Sequence, residues 1–139
     1  MENIRTQLSK IVKDAIVDAG IRCFYSRFKN VSENELPCAI LEIPKVQNEP
    51  ATINGLLRRT YFVTVELKHK GFEGVDNVID DLMNKVEKAI VTHPKLDGNS
   101  YCVECEISKN DEADQLIINA TMLFSVTFHS LASEPDLEI

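Results

Sequence analysis

The side chains of this sequence that could do chemistry are four cysteines, three histidines and several adjacent carboxylates. Cys102 and Cys105 have the spacing of a redox pair or of half a zinc site. They fall where Tyr101, Val103, Cys105 and Ile107 alternate with Cys102, Glu104, Glu106 and Ser108, the period of a strand. On a regular strand, residues three apart point to opposite faces, so the two thiolates are not expected to converge. A free cysteine then reads as a small core residue. The N-terminal residues show no apolar signal-peptide core, so a disulfide framework is not expected. All four thiols, Cys23 and Cys38 included, are expected to be reduced and free of metal.

The remaining reactive groups lack partners in sequence. His69, His93 and His129 each fall in a different element, without metal-ligand spacing. His93 precedes Pro94 at a helix end, the place of a C-terminal cap favoured by the helix dipole. Asp80-Asp81 and Asp111-Glu112 read as solvated positions on a helix and in a turn. Ser9, Ser26 and Ser125 have no nucleophile-elbow context, and Gly71 and Gly74 match no phosphate-binding fingerprint. No catalytic residue, cofactor or metal is therefore expected, and the chain reads as a non-enzyme.

A chain of 139 residues, 44% hydrophobic and 27% charged, suits one globular domain. A net charge of −7 argues against a general nucleic-acid binder, which needs a basic face to release counterions. An acidic wall would let DNA pass close by without holding it. No apolar run approaches the ~20 residues that span a bilayer, so no membrane segment is expected.

The organising stretch runs from Arg59 to Ile90. Tyr61, Val63, Val65 and Leu67 alternate with Phe62, Thr64, Glu66 and Lys68, a strand with one buried face. Gly71 and Gly74 break it, with Asp76 near the N-cap of the following helix. Val75, Val78, Ile79, Leu82, Met83, Val86, Ala89 and Ile90 form one apolar helical stripe.

Upstream, Ile4, Leu8, Ile11, Val12, Ala15, Ile16 and Ala19 mark a first amphipathic helix closed by Gly20. Its polar face mixes both charge signs, unlike that of a membrane-surface helix. Ile21–Phe28 reads as a short strand and Asn30–Glu35 as a turn. Leu36–Ile43 reads as a strand ended by Pro44. Lys45–Leu57 lacks periodicity and reads as a long loop between strands that could pair as a hairpin, mobile until it meets a partner.

Downstream, Asp97-Gly98 makes a turn and Tyr101–Ile107 a strand. Lys109–Asp114 reads as an acidic turn, and Leu116–His129 as the longest strand. The expected architecture is α+β, with two helices on one face of a largely antiparallel sheet and a long hairpin-like loop. Residues 1–131 form the single domain, and residues 132–139 an acidic, mobile tail.

Four features carry a resemblance to a known family. They are the N-terminal helix Ile4–Ala19 leading into Cys23-Phe-Tyr25, and the segment Leu36-Pro-Cys-Ala-Ile-Leu-Glu42. The strand Tyr61–Leu67 follows, with its helix closed by His93-Pro-Lys-Leu96. Last come the acidic turn Asp111-Glu-Ala-Asp114 and the strand Ile118–Phe128. The arrangement resembles the tail-terminator proteins of long-tailed bacteriophages, the minor tail protein U type, over nearly the whole chain.

The resemblance implies no covalent chemistry. It implies a hexameric ring on the tail tube that stops tube polymerisation and offers a surface to the head-tail connector. DNA would pass through the ring without specific binding. The location implied is the head-proximal end of the virion tail, reached from the host cytoplasm. Arg58 and Arg59 at the end of the long loop, and Asp111 and Glu112 in the acidic turn, are the candidate contacts with neighbouring subunits or the tube.

Two other readings compete. One is a phage head-completion or neck connector protein. The other, from a different class, is a small thiol or metal enzyme using Cys102, Cys105 and His69. An acidic DNA mimic fits less well, because the carboxylates are interspersed with fifteen Lys and Arg.

Overall fold

A computed structural model describes residues 3–25, 35–52, 55–112 and 115–131. Helix α1 spans Ile4–Asp18 and is followed by strand β1 (Arg22–Tyr25). Strands β2 (Cys38–Pro50) and β3 (Leu56–Lys70) precede helix α2 (Val75–Val91), and β4 (Ser100–Glu112) and β5 (Gln115–Leu131) complete the chain. The five strands form one sheet in the order β1-β2-β3-β5-β4. β1 runs parallel to β2, and every other pair is antiparallel. This is the α+β architecture that the alternating and helical periods predict.

Each helix starts and stops for local reasons. The Asn3 side chain caps α1 by accepting the Thr6 N–H at 2.8 Å. Gly20, at φ +90°, takes the left-handed turn that releases the chain towards β1. Ile4, Leu8, Val12 and Ile16 bury the apolar stripe of α1, and Val75, Ile79, Val86 and Ile90 that of α2. Gly74 is the N-cap of α2 and Asp76 lies in its first turn, where a carboxylate favours the positive end of the helix dipole. Thr92, not His93, is the C-cap. The His93 ring instead shapes the next turn, its Nδ1 accepting the Lys95 N–H at 3.1 Å.

Both stripes meet the same side of the sheet. Ala39, Leu41 and Ile43 of β2, Tyr61, Val63, Val65 and Leu67 of β3, and Ile118, Ala120, Met122, Phe124 and Val126 of β5 form one buried cluster with them. The register sets Val63 opposite Phe124, Val65 opposite Met122 and Leu67 opposite Ala120, so the period of two places these side chains together under the helices. At the end of β3, Gly71 donates its N–H to the Leu116 carbonyl at 2.6 Å. A Cβ there would lie 2.6–2.9 Å from the Leu116 side chain, so this close approach requires glycine.

Three boundary expectations are corrected. Pro44 does not end its strand, because β2 continues through it to Pro50. The register shifts between Glu42 and Lys45, and a bulge there tolerates a residue with no N–H to donate. Lys45–Leu57 is accordingly not a long loop. Lys45 to Pro50 pairs residue by residue with β3, from Phe62 back to Leu57, which leaves only residues 51–55 as the connection. The segment lacks an apolar period because Val46, Asn48 and Pro50, rather than a run of large apolar residues, follow Ile43 on its helix-side face.

The acidic turn also shrinks. Lys109, Asn110, Asp111 and Glu112 belong to β4, opposite Ile118, Ile117, Leu116 and Gln115. Residues 113–114, 26–34 and 132–139 lie outside the described residues, and with them the expected acidic tail, the end of the Ile21–Phe28 segment and most of the Asn30–Glu35 turn. No described helix is long and apolar enough to cross a membrane.

His69, near the end of β3, carries a pH-dependent element of stability. Its Nδ1 is buried without a hydrogen-bond partner, and its ring meets Phe72 edge-on at 5.3 Å. Burial holds its pKa below the ordinary 6.5, against a smaller opposing effect of a hydrogen bond to the Lys70 backbone. The neutral ring is therefore the folded form, and the unfolded chain binds the proton more readily. Stability from this group is complete above pH 6.5 and falls as the pH drops through the folded-state pKa. An NMR titration should show His69 protonating below pH 6.5, and a midpoint at or above that value would refute the assignment.

Candidate interaction surface

The two outermost strands of the sheet differ in what they expose. β1 contributes only four residues, while β4 runs for thirteen with β5 on one side only. Among the described residues no strand pairs with the other backbone edge of β4, which leaves that edge available for strand addition. Tyr101, Val103 and Ile107 on this strand are 61%, 45% and 46% exposed, a high fraction for large apolar residues.

A bulge shapes this edge. Cys102 pairs with Phe124, but Glu104 already pairs with Leu123 and Cys105 with Met122. Val103 is the extra residue, and its insertion reverses the alternation beyond it. Cys102 and Cys105 consequently share the helix-covered face, with their sulfurs 3.5 Å apart. The expectation that they diverge is corrected: it holds for a regular strand, and this strand is irregular between them. Cys102 packs partly against the core and its Sγ–H points to the Glu104 carbonyl at 3.6 Å, while Cys105 is exposed. The Cys102 thiol is pushed up to about 12, first by burial and then by its hydrogen bond with Cys105, the Cys105 charge and Glu87.

The four expected contact residues have separate fates. Arg58 is exposed and faces Glu49 across the β2–β3 pair at 3.4 Å, an exposed pair that contributes little to stability. Arg59 is only 9% exposed. Its Nε donates to Ser130 Oγ at 2.6 Å and its Nη1 to Asn48 Oδ1 at 3.1 Å, so it ties β2, β3 and β5 together. It is a structural arginine, not a free contact. Asp111 and Glu112 stand at the last positions of β4, paired with Leu116 and Gln115, and β5 separates them from the arginines' strand β3. The structure thus brings Arg58 and Arg59 to the β2–β3 hairpin and the acidic pair to the β4–β5 hairpin, and does not make one site of them.

Among the described residues, no group of three or more His, Cys, Asp or Glu could hold a metal ion. His69, Cys102 and Cys105 of the thiol-enzyme reading do not assemble into one. An open groove of about 500 Å³ is lined by Ala15, Asp18 and Ala19 of the α1 end and by Lys85, Lys88 and His93 in and after α2. It mixes both charges. Sequence reasoning missed the β4 edge. The signal available was three exposed apolar residues, Tyr101, Val103 and Ile107, on a strand rich in Glu. The chain matches no known protein-family description, and comparison with curated proteins finds no match.

Proposed function

We propose that this chain is a non-enzymatic assembly subunit of the tail-terminator kind, which closes into a hexameric ring on a phage tail tube and ends its growth. The observation that carries the reading is the thirteen-residue β4 edge with its exposed Tyr101, Val103 and Ile107. An unpaired edge bearing apolar side chains is a template for strand addition, and a head-to-tail contact through it generates a ring when the rotation closes. A tube of identical rings has no intrinsic end, since each added ring recreates the same surface. A different subunit that binds that surface supplies the end and offers the head-tail connector a new face. The net charge of −7 suits a ring through which DNA passes without being held.

Deletion of the gene from the phage that carries it tests the reading. Full heads and separate tails of abnormal, often excessive, length are expected under the electron microscope. A Tyr101→Glu, Val103→Glu double variant supplied in trans should fold, yet fail to restore normal tails. Tails of normal length beside heads that leak DNA would replace this reading with the head-completion one. Unaffected virions would remove both.

A further inference from the structure

We propose that Cys102 and Cys105 form a thiol–disulfide exchange site that reacts with small-molecule disulfides and closes to an intramolecular disulfide across the β4 bulge. The geometry is tertiary in origin. The Val103 bulge turns both side chains to one face and leaves the sulfurs 3.5 Å apart, already in contact. A disulfide bond of about 2.05 Å then needs the sulfurs to approach by roughly 1.5 Å, within the reach of side-chain rotation on an edge strand. The two thiols are unequal. Cys105 is exposed and is the one an external disulfide can reach, while Cys102 is half-covered by the core.

The chemistry follows from that inequality. The Cys105 thiol loses its proton to solvent and attacks one sulfur of a disulfide RSSR. A Cys105–SR bond forms, the S–S bond of RSSR breaks, and RS⁻ leaves and takes up a proton. Capping Cys105 removes two of the causes that hold the Cys102 proton, the hydrogen bond to Cys105 and the charge of Cys105. Cys102 then loses its proton and attacks the Cys105 sulfur, and a second RS⁻ leaves and is protonated. In sum, two protein thiols and one RSSR give one protein disulfide and two RSH. Two electrons pass from the cysteines to the external disulfide.

Cys23 and Cys38 provide the internal comparison. Both are buried, and they lie on opposite faces of the sheet, since Cys23 pairs with the core residue Ala39 while Cys38 pairs with Lys68. Burial pushes the Cys23 thiol up to about 11. Neither should react in the folded chain.

The experiment treats the fully reduced, full-length chain with glutathione disulfide, follows intact mass and free thiols, and maps peptides. The expected product has lost two of its four thiols and two hydrogens of mass, carries no adduct, and links Cys102 to Cys105. Cys102→Ser should stop at a stable glutathione adduct on Cys105, and Cys105→Ser should react about 10-fold more slowly or less. The proposal is overturned if the wild-type chain keeps separate adducts on Cys102 and Cys105, or links another pair, or retains four thiols under conditions that oxidise a free dithiol peptide. The wild-type mapping stands without the variants, and it is read on the free subunit, so its outcome is independent of ring formation.

Discussion

Replacing Phe124 by alanine is expected to lower the unfolding free energy by about 3–5 kcal/mol, a large part of the ~5–15 kcal/mol available to a domain of this kind. Phe124 is among the largest fully buried side chains, set on β5 beneath the helices and opposite Val63. It belongs to the cluster that joins both helices to the sheet, so the vacancy cannot be filled by one loop moving inwards. Urea titration should show the midpoint falling with an unchanged slope, and thermal melting a fall of roughly 10–15 °C. Leu123→Ala is the internal control. That neighbour points to the opposite face, is only half-buried, and should cost about 1 kcal/mol. Equal losses at the two positions would mean that the helices do not cover the face assigned to them.

Arg59→Met is expected to cost about 2–3 kcal/mol, although its aliphatic stem is kept. The guanidinium is held by Ser130 and Asn48, and Ser130 is itself only 2% exposed. Removing the donor leaves a buried hydroxyl without that partner, and a stranded buried polar group costs more than a lost surface contact. Because the three residues come from β2, β3 and β5, the loss should fall on the hairpin rather than on the helices. Hydrogen exchange should quicken around Val46–Pro50 and Leu56–Thr60, while α1 and α2 keep their protection. Arg58→Met, one residue away, breaks only an exposed pair and should change stability by less than about 0.5 kcal/mol. Equal effects at Arg58 and Arg59 would return Arg59 to the exposed contact residue that the sequence reading expects.

The amino-acid sequence by itself determined the architecture wherever one face of an element is covered. Along β3 the alternation of Tyr61, Val63, Val65 and Leu67 matches burial one for one. The stripes Ile4–Leu8–Val12–Ile16 and Val75–Ile79–Val86–Ile90 likewise state which side of each helix is inward. A covered face demands apolar side chains at the element's own period, and that demand is written locally.

Only the tertiary structure decided the features that depend on a neighbouring strand. Lys45–Pro50 is a strand because β3 satisfies its backbone, with no apolar period to announce it. Arg59 is buried because Asn48 and Ser130 arrive from the two strands that flank β3, Ser130 from 71 positions away in the chain. The meeting of Cys102 and Cys105 rests on a single inserted residue, Val103, whose place is set by register against β5. Local periodicity predicts diverging thiols there. Pairing free energy along the whole β4–β5 ladder outweighs the regularity of one step, and so turns the two sulfurs to the same face.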